Sequence, residues 1–459
     1  MNTIDYIIIL AYLAGLIYLG ISRRHKSDSS PGSFILGGRM LTLPAFVATL
    51  VSSWYGGILG VGEYSYLYGV STWLVFGIPY YIAAMLFALF LAKRARQAEV
   101  LTIPDKLANV YGKPTAVAGS VILFFMTLPA AYILMLSVLL QILFGWPLWI
   151  GAVLGTLFSV FYVHLGGFKA VVRTDLMQFG LMFAGFITLF IFLFIEYGGF
   201  EFISNSVPET HLTWHGGNSG WYIAVWYVIA LSTLIEPAFY QRCYAAKSAK
   251  VAKNGILVSI LFWIVFDFLT TSCGLYARAL LPELTNPVAS FPALAQKVLP
   301  AGLLGLFALS LLATVMSTID SYSFLAASTF SRDIVWRMFK IAENRITYFT
   351  RIGLILSAGI ALIAALFFES VVDIWHDFGS VGTPALLIPL FFAFNGKHKM
   401  RSHTALWSII ISGSVSFVWL MSGKLSIDGT YWLSLEPIFP GLLISALFYI
   451  FCQKKRISL

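Results

Sequence analysis

The residues best suited to chemistry lie in one apolar stretch, Ala313-Thr314-Val315-Met316-Ser317-Thr318-Ile319-Asp320-Ser321. On a helix, positions 314, 317, 318 and 321 share a face by the three-and-four spacing. That face offers the hydroxyls of Ser317, Thr318 and Ser321 with the Thr314 carbonyl, and Asp320 stands at its edge. Hard oxygens of this kind suit a small alkali cation, whereas zinc and copper prefer nitrogen and sulfur. Ser and Thr hydroxyls also bond back to their own helix, so the pattern alone leaves both uses open. Further acidic residues interrupt apolar runs at Asp175, Glu236, Asp267, Asp373 and Asp377. Ionisable groups at membrane depth are costly and mark ion or solute paths.

Two apolar runs are broken. One holds Ser52-Ser53-Trp54-Tyr55-Gly56-Gly57, with Gly60 and Gly62 soon after, and the other holds Ser232, Thr233, Glu236 and Pro237. Adjacent glycines weaken a helix and proline removes a backbone donor. Each break alone reads equally as a packing glycine pair or an ordinary proline kink. Together, five spans apart, they point to an inverted-repeat carrier with its site at mid-membrane.

The elements that must position these residues are membrane spans. The chain has 459 residues, 59% hydrophobic and only 11% charged, with a mean hydropathy of +0.86. A soluble protein would carry about a quarter charged residues. Apolar runs of roughly 20 residues, enough to cross a bilayer, fall near 3–22, 40–68, 71–92, 115–144, 147–164, 171–195, 220–240, 252–279, 298–328, 347–368, 373–394, 403–422 and 432–452. With the N-terminus outside, the odd connections and the C-terminus face the cytoplasm. All but three of the 29 basic residues (Arg278, Lys297 and Lys424) then lie on that side, from Arg23, Arg24 and Lys26 to Lys454, Lys455 and Arg456. This is the positive-inside bias of an inner or plasma-membrane protein, and it explains the net charge of +9 without a nucleic-acid partner. The first run ends in Arg23 and Arg24, which reads as a first span and not a cleaved leader. Cys243, Cys273 and Cys452 have no paired spacing and read as structural thiols. A piece around Pro104 to Val110 reads as amphipathic and suited to the membrane surface. His164, His398 and His403 read as solvated inner-end residues.

Three motifs in order resemble the sodium/solute symporter family, in its proline- and sialic-acid-transporter branch. The run Gly166-Gly167-Phe168-Lys169-Ala170-Val171-Val172-Arg173-Thr174-Asp175-Leu176-Met177-Gln178 resembles the family signature. Thr314-Val315-Met316-Ser317-Thr318 resembles its ion-binding helix, and Tyr240-Gln241-Arg242 with Ala245-Ala246-Lys247 its sequence after the seventh span. The resemblance implies an all-α membrane protein of about 13 helices in one polytopic domain over 1–459. It has an additional helix at 3–22, a LeuT-type 5+5 inverted-repeat core at 38–394 and two C-terminal helices at 403–452. It implies sodium-coupled symport of a small organic solute into the cell by alternating access, with Na+ as the coupling ion and a monomer sufficient. The principal sodium ligands would be the carbonyls of Leu50, Ser53 and Thr314 with the hydroxyls of Ser317 and Thr318. A second ion site would use Asp175, Ser317, Asp320 and Ser321. Asp320 stands where a hydroxyl is usual, so a second sodium, a proton or a fixed internal charge each fit there. Asp175 also fits a helix-capping role beside Thr174.

The resemblance also places the solute between spans two, three, seven and eleven, against Ser52, Gly56, Gly57, Phe76, Ser232, Thr233, Trp375 and His376. Sugar-carrying members have a carboxylate or amide at the positions of Gly57 and Phe76, which points away from a sugar. Glu236 suits either a solute ammonium or an inner-gate pair with Arg242. His376 suits either the cavity wall or helix packing. Proton coupling is the nearest alternative. A transporter-like solute sensor would be expected to extend well beyond the last span, where this sequence has only a few residues. An embedded enzyme would need a clustered nucleophile, metal set or acid–base pair, and none is present in the sequence, so no catalytic residue is expected.

Overall fold

The computed structural model describes residues 1–21, 31–368, 371–395, 399–426 and 428–451. Arg23, Arg24, Lys26, His398, Cys452, Lys454, Lys455 and Arg456 lie outside the described residues. In hydrocarbon every backbone N–H and C=O must be bonded within the protein, which leaves helices as the simplest span. Accordingly, all the regular elements among the described residues are helical.

The helices used below are α1 (Thr3–Ile21), α2 (Leu43–Ser52), α3 (Ile58–Tyr68), α4 (Ile78–Phe90), α5 (Lys113–Met126), α6 (Ala130–Phe144) and α7 (Leu148–Tyr197). They continue as α8 (Gly220–Ile229), α9 (Pro237–Ala245), α10 (Ala249–Leu280), α11 (Leu303–Ser328), α12 (Ile346–Phe367), α13 (Val371–Phe394), α14 (Ser402–Lys424) and α15 (Ile438–Phe451). Among the described residues, nine helical stretches are long and apolar enough to cross a membrane. Four shorter apolar helices coincide with the remaining expected spans.

The core is built around α11, buried along nearly all its length. The long α7 packs beside it and is broken at Gly167, whose φ of 60° lies in the left-handed region. A Cβ at Gly167 would come within 2.7 Å of the Phe34 ring, so conformation and space both call for glycine there. Both expected breaks are present. Residues 53–57 separate α2 from α3, and a 3-10 turn, Ala230–Ile235, with extended Glu236 separates α8 from α9. A third interruption, between α5 and α6, falls at Leu128-Pro129 inside a run read as one unbroken span.

Where α2 begins and α9 ends, the backbones pair as an isolated parallel bridge. The Leu41 N–H donates to the Ala245 carbonyl at 3.0 Å, and Lys247 donates to the Leu41 carbonyl at 2.9 Å. The additional helix α1 is fastened to α11 by Asp5, whose carboxylate accepts from the N–H groups of Gly302 (2.8 Å) and Gly305 (2.9 Å). These would otherwise be orphan donors at the start of α11. The amphipathic piece, Ile103–Tyr111, is fastened to the rest of the protein. Its Asp105 lies 2.6 Å from Arg337 and 3.7 Å from Arg332, both just beyond α11. Cys243 and Cys273 are buried free thiols.

Candidate functional site

Of the ion-suited residues, Asp175, Ser317, Ser53 and Ser321 come together where α2 ends, between α7 and α11. The Asp175 carboxylate receives the hydroxyl of Thr49 and lies 2.7 Å from the Ser317 hydroxyl, which is itself 2.9 Å from that of Ser52. The Ser53 hydroxyl donates to the Thr49 carbonyl at 2.5 Å. Thr314 bonds back to Ser310 (2.7 Å) and Thr318 to the Thr314 carbonyl (3.3 Å). The two uses of such hydroxyls are thus divided. Threonines satisfy their own helix, while Ser317 reaches across to two others. Asp175 does not cap its helix beside Thr174, whose hydroxyl turns back to Ala170 and Val171.

The side chain that sequence spacing misplaced is Arg242. It is fully buried, and its guanidinium lies 3.7 Å from Asp175. The same nitrogen donates to Ser321 (2.7 Å), Ser53 (3.2 Å) and Thr49 (3.2 Å). The expected pair with Glu236 is therefore not the one formed. Six residues separate the two along α9, or roughly 9 Å at 1.5 Å per residue, which carries Arg242 past Glu236 to Asp175. Asp320 accepts the Tyr162 hydroxyl through one oxygen, and its other oxygen has no partner among the described residues.

On the other side of the breaks lies a cavity of about 160 Å³. Of the residues expected there, Gly57, Phe76, Ser232 and Trp375 line it. A Cβ on Gly57 would fall 1.6 Å from the Trp375 indole, so the bare backbone is what lets that ring lie across the break. Ser52, Gly56, Thr233 and His376 are placed elsewhere. Ser52 joins the Asp175 group. Gly56 permits close approach to α11, since its Cβ would meet Thr318 at 2.6 Å and Tyr132 at 2.5 Å. Thr233 is buried in the 3-10 turn. His376 lies 2.9 Å from Glu436 and 3.3 Å from Asp377, which Lys424 approaches to 3.0 Å. This ties α13 to the C-terminal helix pair and gives His376 the packing role. Sequence reasoning did not select Trp54, Tyr80, Tyr132, Trp226, Tyr322 and Phe378, which complete the wall. Their aromatic type is common throughout the chain, and only the fold assembles them. His164 is half-buried, its carbonyl accepting from Arg351 at 3.2 Å.

Paired broken helices beside a buried, hydroxyl-rich polar centre and a central cavity define a secondary transporter. The model of the sodium:solute symporter family matches residues 34–412, and the chain belongs to that family. It is a multi-pass membrane protein that symports a small organic solute with sodium, and not an enzyme. Among its relatives, the osmoregulated proline transporter OpuE of Bacillus subtilis is 26% identical over 92% of this chain and 88% of its own. The sodium/pantothenate symporter of Haemophilus influenzae is 25% identical over 88% of this chain and 87% of its own. A Na+-coupled sialic acid symporter, in a substrate-bound outward-open state, superposes with a TM-score of 0.79, covering all of both chains at 19% identity. Mhp1, a nucleobase-cation-symport-1 family transporter, gives 0.59 at 14% identity, over 93% of this chain and 94% of its own. Those likenesses establish the LeuT-type fold.

Proposed function

We propose that this protein brings its solute into the cell across the plasma membrane, with the N-terminus outside and residues 1–459 acting as one polytopic unit. One sodium ion binds where α2 meets α11, held by the carbonyls of Leu50, Ser53 and Thr314 and the hydroxyls of Ser317 and Thr318. The observation that carries this reading is the Ser317 hydroxyl, which links α11 to both Ser52 and Asp175 at the break. An ion seated there closes α2 onto α11 and fixes the unwound segment that also forms the cavity, so ion binding and solute binding favour the same conformation. The donor set fits sodium, being all hard oxygen.

The second ion site has a different occupant in this reading. Arg242 lies on Asp175 and Ser321, so its guanidinium supplies the positive charge a second sodium would bring. Asp320, whose one printed hydrogen bond among the described residues is from Tyr162, favours a proton as the second reading for that carboxylate. The experiment is uptake into proteoliposomes driven by a sodium gradient. Ser317→Ala and Thr318→Ala should each raise the half-saturating sodium concentration about tenfold or more, a loss of about 1.4 kcal/mol, with normal expression. Unchanged sodium dependence in both would move the site elsewhere.

A further inference from the structure

The solute cavity has a chemical bias. Of its lining residues, Glu236 alone carries a charge, and neither Lys nor Arg contributes. Glu236 caps α9, accepting from the Ala238 N–H at 3.3 Å, and lines the cavity together with Tyr322. The cation nearest along its helix, Arg242, is engaged with Asp175 at 3.7 Å. No ion pair to Glu236 is formed among the described residues. Around it stand Trp54, Phe76, Tyr80, Tyr132, Trp226 and Trp375. Aromatic faces carry negative potential and attract cations. A carboxylate taken out of water needs a counter-charge or a full set of donors, and here the described residues supply one backbone donor and no ion pair. A solute bearing only negative charge would meet repulsion from Glu236 and no cationic side chain in this space.

We propose that the transported solute carries an ammonium group, as a free amine, a quaternary amine or the positive end of a zwitterion. The group is seated against Glu236 with the carbon body on the aromatic walls. The cavity of about 160 Å³ is close to the roughly 150 Å³ that accommodates a benzene ring, so the solute is compact. This assignment rests on the symporter reading above and adds the solute class to it.

The test is a thermal-shift panel on the purified full-length protein, in sodium chloride and in potassium chloride. The probes are choline, glycine betaine, proline, pantothenate and myo-inositol. The expected result is stabilisation in sodium by at least one of the first three and by neither of the last two. Glu236→Gln should weaken the amine's apparent affinity tenfold or more, and Glu236→Asp should retain part of it. Stabilisation by no amine, or by pantothenate or myo-inositol alone, would overturn the assignment. So would unchanged amine affinity in Glu236→Gln. If Glu236→Gln does not purify folded, the wild-type panel decides. An amine that stabilises equally in potassium would defeat the sodium-coupling reading and leave the amine assignment standing. Pantothenate acting only in sodium would do the reverse.

Discussion

The ion centre and the solute cavity share the unwound segment between α2 and α3 yet are built on opposite terms. Around Asp175 nearly every polar atom has a protein partner, with Thr49, Ser317 and Arg242 converging on one carboxylate. The cavity is walled by rings from many helices around a single charged side chain. A polar network in a low-dielectric interior depends on each of its members, because any group left alone carries the full cost of desolvation. Ring walls are more forgiving, since apolar contacts are individually weak and non-directional. Loss of a buried charge from the ion centre should therefore fail abruptly, while trimming a cavity ring should redirect or grade the solute preference.

Asp175→Asn tests the first half of that contrast and should have the largest effect. It leaves the fully buried Arg242 without its carboxylate, and breaking a buried pair in this way costs about 3–5 kcal/mol. Sodium-driven uptake should fall to background and the melting temperature should drop. A variant with normal stability and transport would mean that the network is redundant. Gly57→Leu separates the two regions. The side chain collides with Trp375, 1.6 Å from the Cβ position, so uptake should be abolished. Stabilisation of the purified variant by sodium alone should persist, and its loss would show that the regions are not separable. The smallest effect concerns stoichiometry. With Arg242 beside Asp175 and Ser321, wild-type uptake should rise with sodium at a Hill coefficient of about one, and Asp320→Asn should flatten its pH dependence without altering that coefficient. A coefficient near two, falling to one in Asp175→Asn, would place a second sodium in the network instead.

Much of the scaffold was legible because its signals are local. Gly56-Gly57 and Glu236-Pro237 mark breaks through backbone conformation, and the double glycine before Asp175 marks the turn within α7. The hydroxyls of Ser317 and Ser321 were legible through helical spacing. What escaped depends on contacts between distant segments. Asp5 caps a helix 297 residues away at Gly302. His376 finds Glu436, 60 residues on, and so leaves the cavity where the resemblance put it. Of the two roles the sequence leaves open for Glu236, the pair with Arg242 is not the one formed, because the pitch of α9 carries the guanidinium to a different helix. The cavity rings carry no distinguishing spacing, and the break at Leu128-Pro129 was concealed by strongly apolar flanks.

The short backbone bridge between Leu41 and Ala246 acts on the mechanics of the carrier. It yokes the foot of α2 to the foot of α9, and Arg242 braces the same two segments a little higher, through Thr49 and Ser53. The two broken helices are therefore linked to each other at their feet and again through one buried side chain. Backbone hydrogen bonds of about 1 kcal/mol each are stiff enough to hold that yoke during thermal motion and weak enough to open without unfolding.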